Sequence, residues 1–142
     1  MTRVITFGTF DLLHPGHIRL LRRAKELGDI LIVGISSDKL NYEKKQRHSF
    51  YNQAVRAEMI SSLRDVDEYF IEESLEKKQE YIDKYNADIL VMGNDWEGKF
   101  DFIKDCKVVY LDRTPGISTT TIRHNSVGEV FTPHGDDCTS KE

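Results

Sequence analysis

Two histidines three residues apart, in the run Thr9-Phe10-Asp11-Leu12-Leu13-His14-Pro15-Gly16-His17, are the residues of this chain best suited to chemistry. An imidazole can offer a phosphate oxygen an N–H or, once protonated, a full positive charge. Gly16, between the two, lets backbone and ligand approach closely. Blander uses compete: a histidine beside a helix start can cap it or face solvent, and a pair can ligate metal. A closed zinc site needs about four ligands, and neither Cys106 nor Cys138 lies in a C-x-x-C or histidine-rich cluster. Taken with Gly8, Asp11, Pro15 and Gly16, the pair His14 and His17 reads as a site for handling a phosphate chain.

The flanking sequence supplies the elements that would position this pair. Residues 4–7, Val-Ile-Thr-Phe, form a short strand, and Gly8 follows where the chain must bend. A helix begins near Pro15, whose fixed φ and missing N–H suit a first turn; Ile18, Leu21, Ala24 and Leu27 share one face before Gly28 stops it. A second apolar run follows at residues 30–35. Strand, helix and strand within about 30 residues make a βαβ unit with a right-handed crossover. In such a unit ligands bind at the carboxyl end of the strand, where the helix N-terminus attracts anions.

Further along, residues 38–48 are polar and basic with no apolar period, and are expected to form a mobile loop. A lysine-bearing loop closing over a triphosphate would exclude water and neutralise charge. Residues 52–64 are expected to be helical, with Val55, Met59 and Leu63 on one face and Arg56 and Arg64 two turns apart on a similar side. Strands are expected at residues 68–71, 89–92 and 108–111, with a helix at 75–85. Alternation of this kind predicts an α/β fold, a doubly wound and mostly parallel sheet with helices on both faces. Asp95, just past a strand end, can cap a short helix containing Phe100 and Phe102 or accept from a ligand hydroxyl. Asp67 reads from sequence only as a turn residue. Ser118 is a natural N-cap for a helix start, and Ser118-Thr119-Thr120-Thr121 could hold phosphates there, with the Arg113 fork beside them.

With 142 residues the chain has the size of one domain, and its net charge of −4 argues against a nucleic-acid-binding surface. Two widely separated cysteines give no disulfide framework, and no apolar run is long enough to span a bilayer, so a reducing, cytoplasmic setting without membrane insertion is expected. Residues 124–142 carry Gly128, Pro133, Gly135 and an Asp136-Asp137 cluster and are expected to form a loosely ordered tail.

Gly8-Thr9-Phe10-Asp11 followed by His14-Pro15-Gly16-His17 resembles the HxGH signature of the nucleotidyltransferase superfamily, and Arg113-Thr114-Pro115-Gly116-Ile117-Ser118-Thr119-Thr120 resembles the RTxGIST(S/T) motif of its cytidylyltransferase branch. Residues 92–101, Met-Gly-Asn-Asp-Trp-Glu-Gly-Lys-Phe-Asp, are similar to a segment typical of the glycerol-3-phosphate cytidylyltransferase family. The resemblance runs from about residue 2 to about residue 123, and implies a Rossmann-like five-stranded sheet ordered 3-2-1-4-5 in one nucleotidyltransferase domain over 1–123. It implies transfer of CMP from CTP to sn-glycerol 3-phosphate, giving CDP-glycerol for a polymer such as teichoic acid or a capsule. Mg²⁺ would be held mainly by the triphosphate, and the chain would form a homodimer.

The same resemblance makes His14, His17, Lys44 and Arg113 the catalytic candidates. Thr9, Phe10, Asp11, Asp95, Thr114, Ile117, Ser118 and Thr119 join His14, His17 and Arg113 in nucleotide binding, while Lys44, Arg56, Arg64 and Asp67 contact the substrates. Two departures stand out: Gln46 replaces a second lysine, leaving Lys45 or Arg47 to substitute, and Pro115 occupies a position the branch fills with other residues. Related activities with ATP or another acceptor (FMN, phosphocholine, phosphoethanolamine) remain open at this stage, as does a nucleotide-binding module without turnover.

Overall fold

The computed structural model describes residues 1–112. The expectations placed on Arg113, Thr114, Pro115, Ile117, Ser118 and Thr119, and on residues 124–142, lie outside the described residues.

Five apolar segments form the strands: β1 Arg3–Gly8, β2 Ile30–Ser36, β3 Glu68–Glu72, β4 Ile89–Gly93 and β5 Lys107–Leu111. All pair in parallel, in the order β3-β2-β1-β4-β5. The central strands are near-continuous runs of Val, Ile and Leu because a parallel sheet is covered on both faces. On one face α1, Pro15–Glu26, and α3, Gln53–Ser61, bury Leu21, Ala24, Ala57 and Ile60 against Val4, Leu31, Val33, Ile35 and Val91. On the other, α4, Lys78–Lys84, preceded by a 3₁₀ turn at Leu75–Lys77, packs Ile82 on Ile5, Phe7, Ile32 and Leu90, together with Phe100 and Ile103. The chain reverses direction across the sheet between β1 and β4, so their carboxyl ends open a crevice where ligands bind in folds of this kind.

Three expectations need correction. Residues 38–48 are not a loop throughout, since α2 spans Asp38–Lys45. Its definition comes from its ends: the Ser37 hydroxyl accepts from Leu40 N–H at 3.0 Å, Asp38 sits in the first turn, Lys44 and Lys45 sit in the last, and Gln46 ends it at φ 58°. α3 is shorter than the predicted 52–64. Asn52 caps it through Val55 N–H, while the Ser61 and Ser62 hydroxyls turn back to Glu58 C=O where it ends. Its buried side carries Arg56, Ala57 and Ile60, with Val55, Met59 and Leu63 only half-buried. Finally, residues 97–102 form turns, so Asp95 caps no helix there; it lies inside a 3₁₀ turn, Asn94–Trp96.

Candidate active site

β1 ends at Gly8, and a Cβ there would lie 2.9 Å from the Phe10 ring, so only glycine lets that ring fold back beneath the strand end. The following turn holds Phe10 and Leu12 at φ 55° and 49°, conformations rarely adopted outside glycine. Phe10 is fully buried and meets the His17 ring edge-on at 5.5 Å. The turn delivers the chain to α1 with His14 as N-cap in extended conformation and Pro15 as first helical residue.

A reciprocal cap fixes both imidazoles. His14 Nδ1 accepts from Gly16 N–H at 3.0 Å, and His17 Nδ1 accepts from His14 N–H at 3.2 Å. The rings stack with centroids 3.9 Å apart and planes 23° from parallel, and both side chains are buried. His17, Leu21 and Ala24 are spaced four and three residues apart, which keeps His17 on the face of α1 that covers the sheet. A neutral imidazole whose Nδ1 accepts must carry its proton on Nε2. The capping arrangement therefore turns each histidine into an Nε2–H donor whose tautomer the backbone dictates.

Around this pair the carboxyl ends of β1 and β2 are joined by polar contacts. The Asp11 carboxylate accepts from Phe50 N–H at 2.6 Å and Tyr51 N–H at 2.9 Å, tying the segment before α3 to the histidine turn. The Arg56 guanidinium, 0% exposed, donates to Tyr51, Thr9 and Ser36 carbonyls and to the Asp38 carboxylate at 2.7–3.0 Å. These four bonds take four of its five N–H donors. Arg56 thus braces the ends of β1 and β2 against α2. Burial pushes the Asp38 carboxyl up, but Gln53 N–H and the Arg56 guanidinium outweigh it and hold it below its ordinary value. Lys44, half-buried on α2, donates to the Ser36 hydroxyl at 3.2 Å. The Thr9 hydroxyl donates to the Asn41 carbonyl oxygen at 3.1 Å.

The structure thus brings Thr9, Phe10, Asp11, His14, His17, Lys44 and Arg56 to one end of β1 and β2. Asp95 lies beyond the end of β4, on the same edge of the sheet. Arg64 and Asp67 are not brought there. Arg64 lies exposed beyond the end of α3, so it shares no helix face with Arg56. Asp67 accepts from Leu31 N–H at 2.8 Å and Lys25 Nζ at 2.5 Å, at the amino edge of the sheet. From Leu31 to Ser36 is five residues of β2, about 17 Å at 3.3 Å each. Asp67 pins β2, β3 and the end of α1. Ser36 and Asn41, which the sequence reading did not single out, lie inside the site; their signal was their place beside Ser37 and the α2 start.

A parallel sheet in the order β3-β2-β1-β4-β5, its first crossover helix capped by a buried histidine pair at the carboxyl end of β1, defines a Rossmann-like α/β protein with its candidate site at the topological switch point. The cytidylyltransferase-like family model matches residues 5–125. Glycerol-3-phosphate cytidylyltransferase of Bacillus subtilis (strain 168) is 53% identical over 129 residues, covering 90% of this chain and 99% of the relative. The protein of that name from Staphylococcus aureus is 51% identical over 130 residues, covering 91% and 98%. Among solved structures, a lipopolysaccharide core biosynthesis protein from Thermoplasma volcanium superposes with TM-score 0.68 at 26% identity, covering 80% of this chain and 98% of that one. The chain belongs to the cytidylyltransferase-like family, and it is a nucleotidyltransferase.

Proposed function

We propose that this enzyme transfers CMP from CTP to sn-glycerol 3-phosphate, giving CDP-glycerol and pyrophosphate. The observation that carries the chemistry is the reciprocal cap of His14 and His17, which fixes two Nε2–H donors at the mouth of the βαβ unit. An oxygen of the acceptor phosphate attacks the α-phosphorus in line, and the bond from that phosphorus to the bridging oxygen breaks. The electron pair leaves with pyrophosphate, and no covalent intermediate on the protein is required. Catalysis is then positioning plus stabilisation of charge on the phosphate oxygens. The two histidines donate to the α-phosphate and the bridging oxygen, while Lys44 restrains the departing pyrophosphate, with Arg113, Ser118 and Thr119 assigned the same task. Arg56 and Asp11 hold the histidine turn and α2 in register.

The acceptor is supported by the names of the two relatives half identical to this chain. CDP-glycerol made this way would feed a glycerol phosphate polymer such as teichoic acid or a capsule. Mg²⁺ enters on the triphosphate. Among the described residues no group of three His, Cys, Asp or Glu could hold a metal ion. Mg²⁺ would be ligated mainly by the nucleotide and by water, of which it usually keeps several. Among the same residues no helix is long and apolar enough to cross a membrane. A reaction that consumes CTP belongs in the cytoplasm, and a homodimer is the assembly we assign.

Pyrophosphate release, measured with CTP or ATP against glycerol 3-phosphate, phosphocholine, phosphoethanolamine and FMN, tests this reading. Turnover should require CTP and be fastest with glycerol 3-phosphate; strict use of ATP would reject it.

A further inference from the structure

Asn41 sits on α2 with its side chain 1% exposed. Its carbonyl oxygen is taken by the Thr9 hydroxyl at 3.1 Å, in the turn that leads to His14, while its amide nitrogen Nδ2 is buried with no hydrogen-bond partner. Native proteins leave few buried donors in that condition, and each has a cause. Three residues further on, on the same face of α2, Lys44 reaches the Ser36 hydroxyl at the end of β2. A neutral amide N–H and an ammonium group therefore converge on the carboxyl ends of β1 and β2, on the edge of the sheet that carries the histidine pair. Both are donors. What completes such a set is an acceptor bearing negative charge.

We infer that Asn41 is a further substrate-binding residue, whose Nδ2 donates to a phosphate oxygen of a bound substrate beside the Lys44 ammonium. This rests on the transferase reading above. The bond between Thr9 and the Asn41 carbonyl sets the direction of the amide in advance, so the donor needs no reorganisation when substrate arrives. Two phosphate groups could supply the oxygen, the triphosphate of CTP or the phosphate of the acceptor, and steady-state kinetics separates them.

Two variants make the test. N41D keeps the shape and an acceptor for the Thr9 hydroxyl, but replaces the donor by a negative charge. N41L keeps the number of side-chain heavy atoms and the branch at Cγ, and removes the amide altogether. A hydrogen bond to a charged group is worth enough that KM for one substrate should rise about 10- to 100-fold in both variants. A rise confined to CTP assigns the oxygen to the triphosphate, and one confined to glycerol 3-phosphate assigns it to the acceptor. N41L also takes the acceptor from the buried Thr9 hydroxyl and should lower the melting midpoint somewhat, so the rise in KM, not the midpoint, carries the test. A merely structural asparagine would lower the midpoint and leave both KM values unchanged, and unchanged KM values overturn the inference. If N41D does not fold, N41L alone decides. If the parent protein releases no pyrophosphate with CTP and glycerol 3-phosphate, the transferase reading has failed instead. Calorimetric titration with CTP and with inorganic phosphate then still tests Asn41. Weaker binding to N41L supports the role, and equal binding to both ligands overturns it.

Discussion

Each imidazole of the histidine pair has two tasks, one at each ring nitrogen. Nδ1 of His17 accepts from the His14 backbone and helps close the first turn of α1, while Nε2 carries the proton available to a phosphate oxygen. The tasks can be separated by substitution. Asn places a carbonyl oxygen where Nδ1 stood but reaches no further, so H17N keeps the cap and loses the distal donor. H17A loses both. Either variant should lower kcat about 10²- to 10³-fold, as removal of one preorganised donor does. Both variants lose the packing of the buried ring, and H17A should be less stable than H17N by about 1 kcal/mol, the usual cost of a lost cap. Measuring kcat and thermal unfolding on both variants checks this, and equal loss of stability would show that the capping bond is not what holds the turn. Arg56 shows the opposite assignment, with a guanidinium engaged by protein carbonyls and Asp38 acting on the site through the elements it braces.

At the scale of elements, what the sequence made legible follows from how each element is stabilised. The strands and α1 were readable because burial on a parallel sheet demands apolar runs and a 3.6-residue stripe. α2 was not, because eight residues burying only Leu40 and Asn41 carry no period; its caps and dipole-matched charges define it. The end of α3 was overshot because the apolar spacing through Leu63 continues past Ser61 and Ser62, whose hydroxyls bond back to Glu58. The brace at the start of α2 has a testable acid sensitivity. Asp38 is held below its ordinary value of 3.8, so the fold binds the carboxylate rather than the acid. That contribution is complete above the unfolded value and vanishes as pH falls through the lower, folded one. D38N should therefore melt below the parent at neutral pH, with the gap closing as pH drops under about 4. A gap that stays constant from pH 7 to pH 3 would show that the charge of Asp38 contributes nothing.

For the whole molecule, the alternation of strands and helices was enough for a doubly wound sheet, while the strand order came only with the family resemblance, because register and order depend on contacts remote in sequence. The same remoteness hid the clamp on the outer strand. β3 forms one edge of the sheet, and its last residue, Glu72, pairs with Lys78 at the start of α4 at 2.6 Å, both almost fully buried. The Lys78 ammonium also lies 3.8 Å from the centre of the Phe7 ring, on β1. Burial pulls the Lys78 pKa down and the Glu72 carboxylate partly restores it, so desolvation opposes the attraction that holds the two charges together. K78M leaves a buried carboxylate alone and should cost about 3–5 kcal/mol, whereas E72L/K78M removes both charges and should return close to parent stability. Urea unfolding of the parent, K78M and the double variant gives the three values needed. If the double variant is as unstable as K78M, the pair holds the edge strand and α4 together by specific hydrogen bonding that apolar packing cannot replace; recovery shows that the cost of K78M lay in stranding one charge inside the fold.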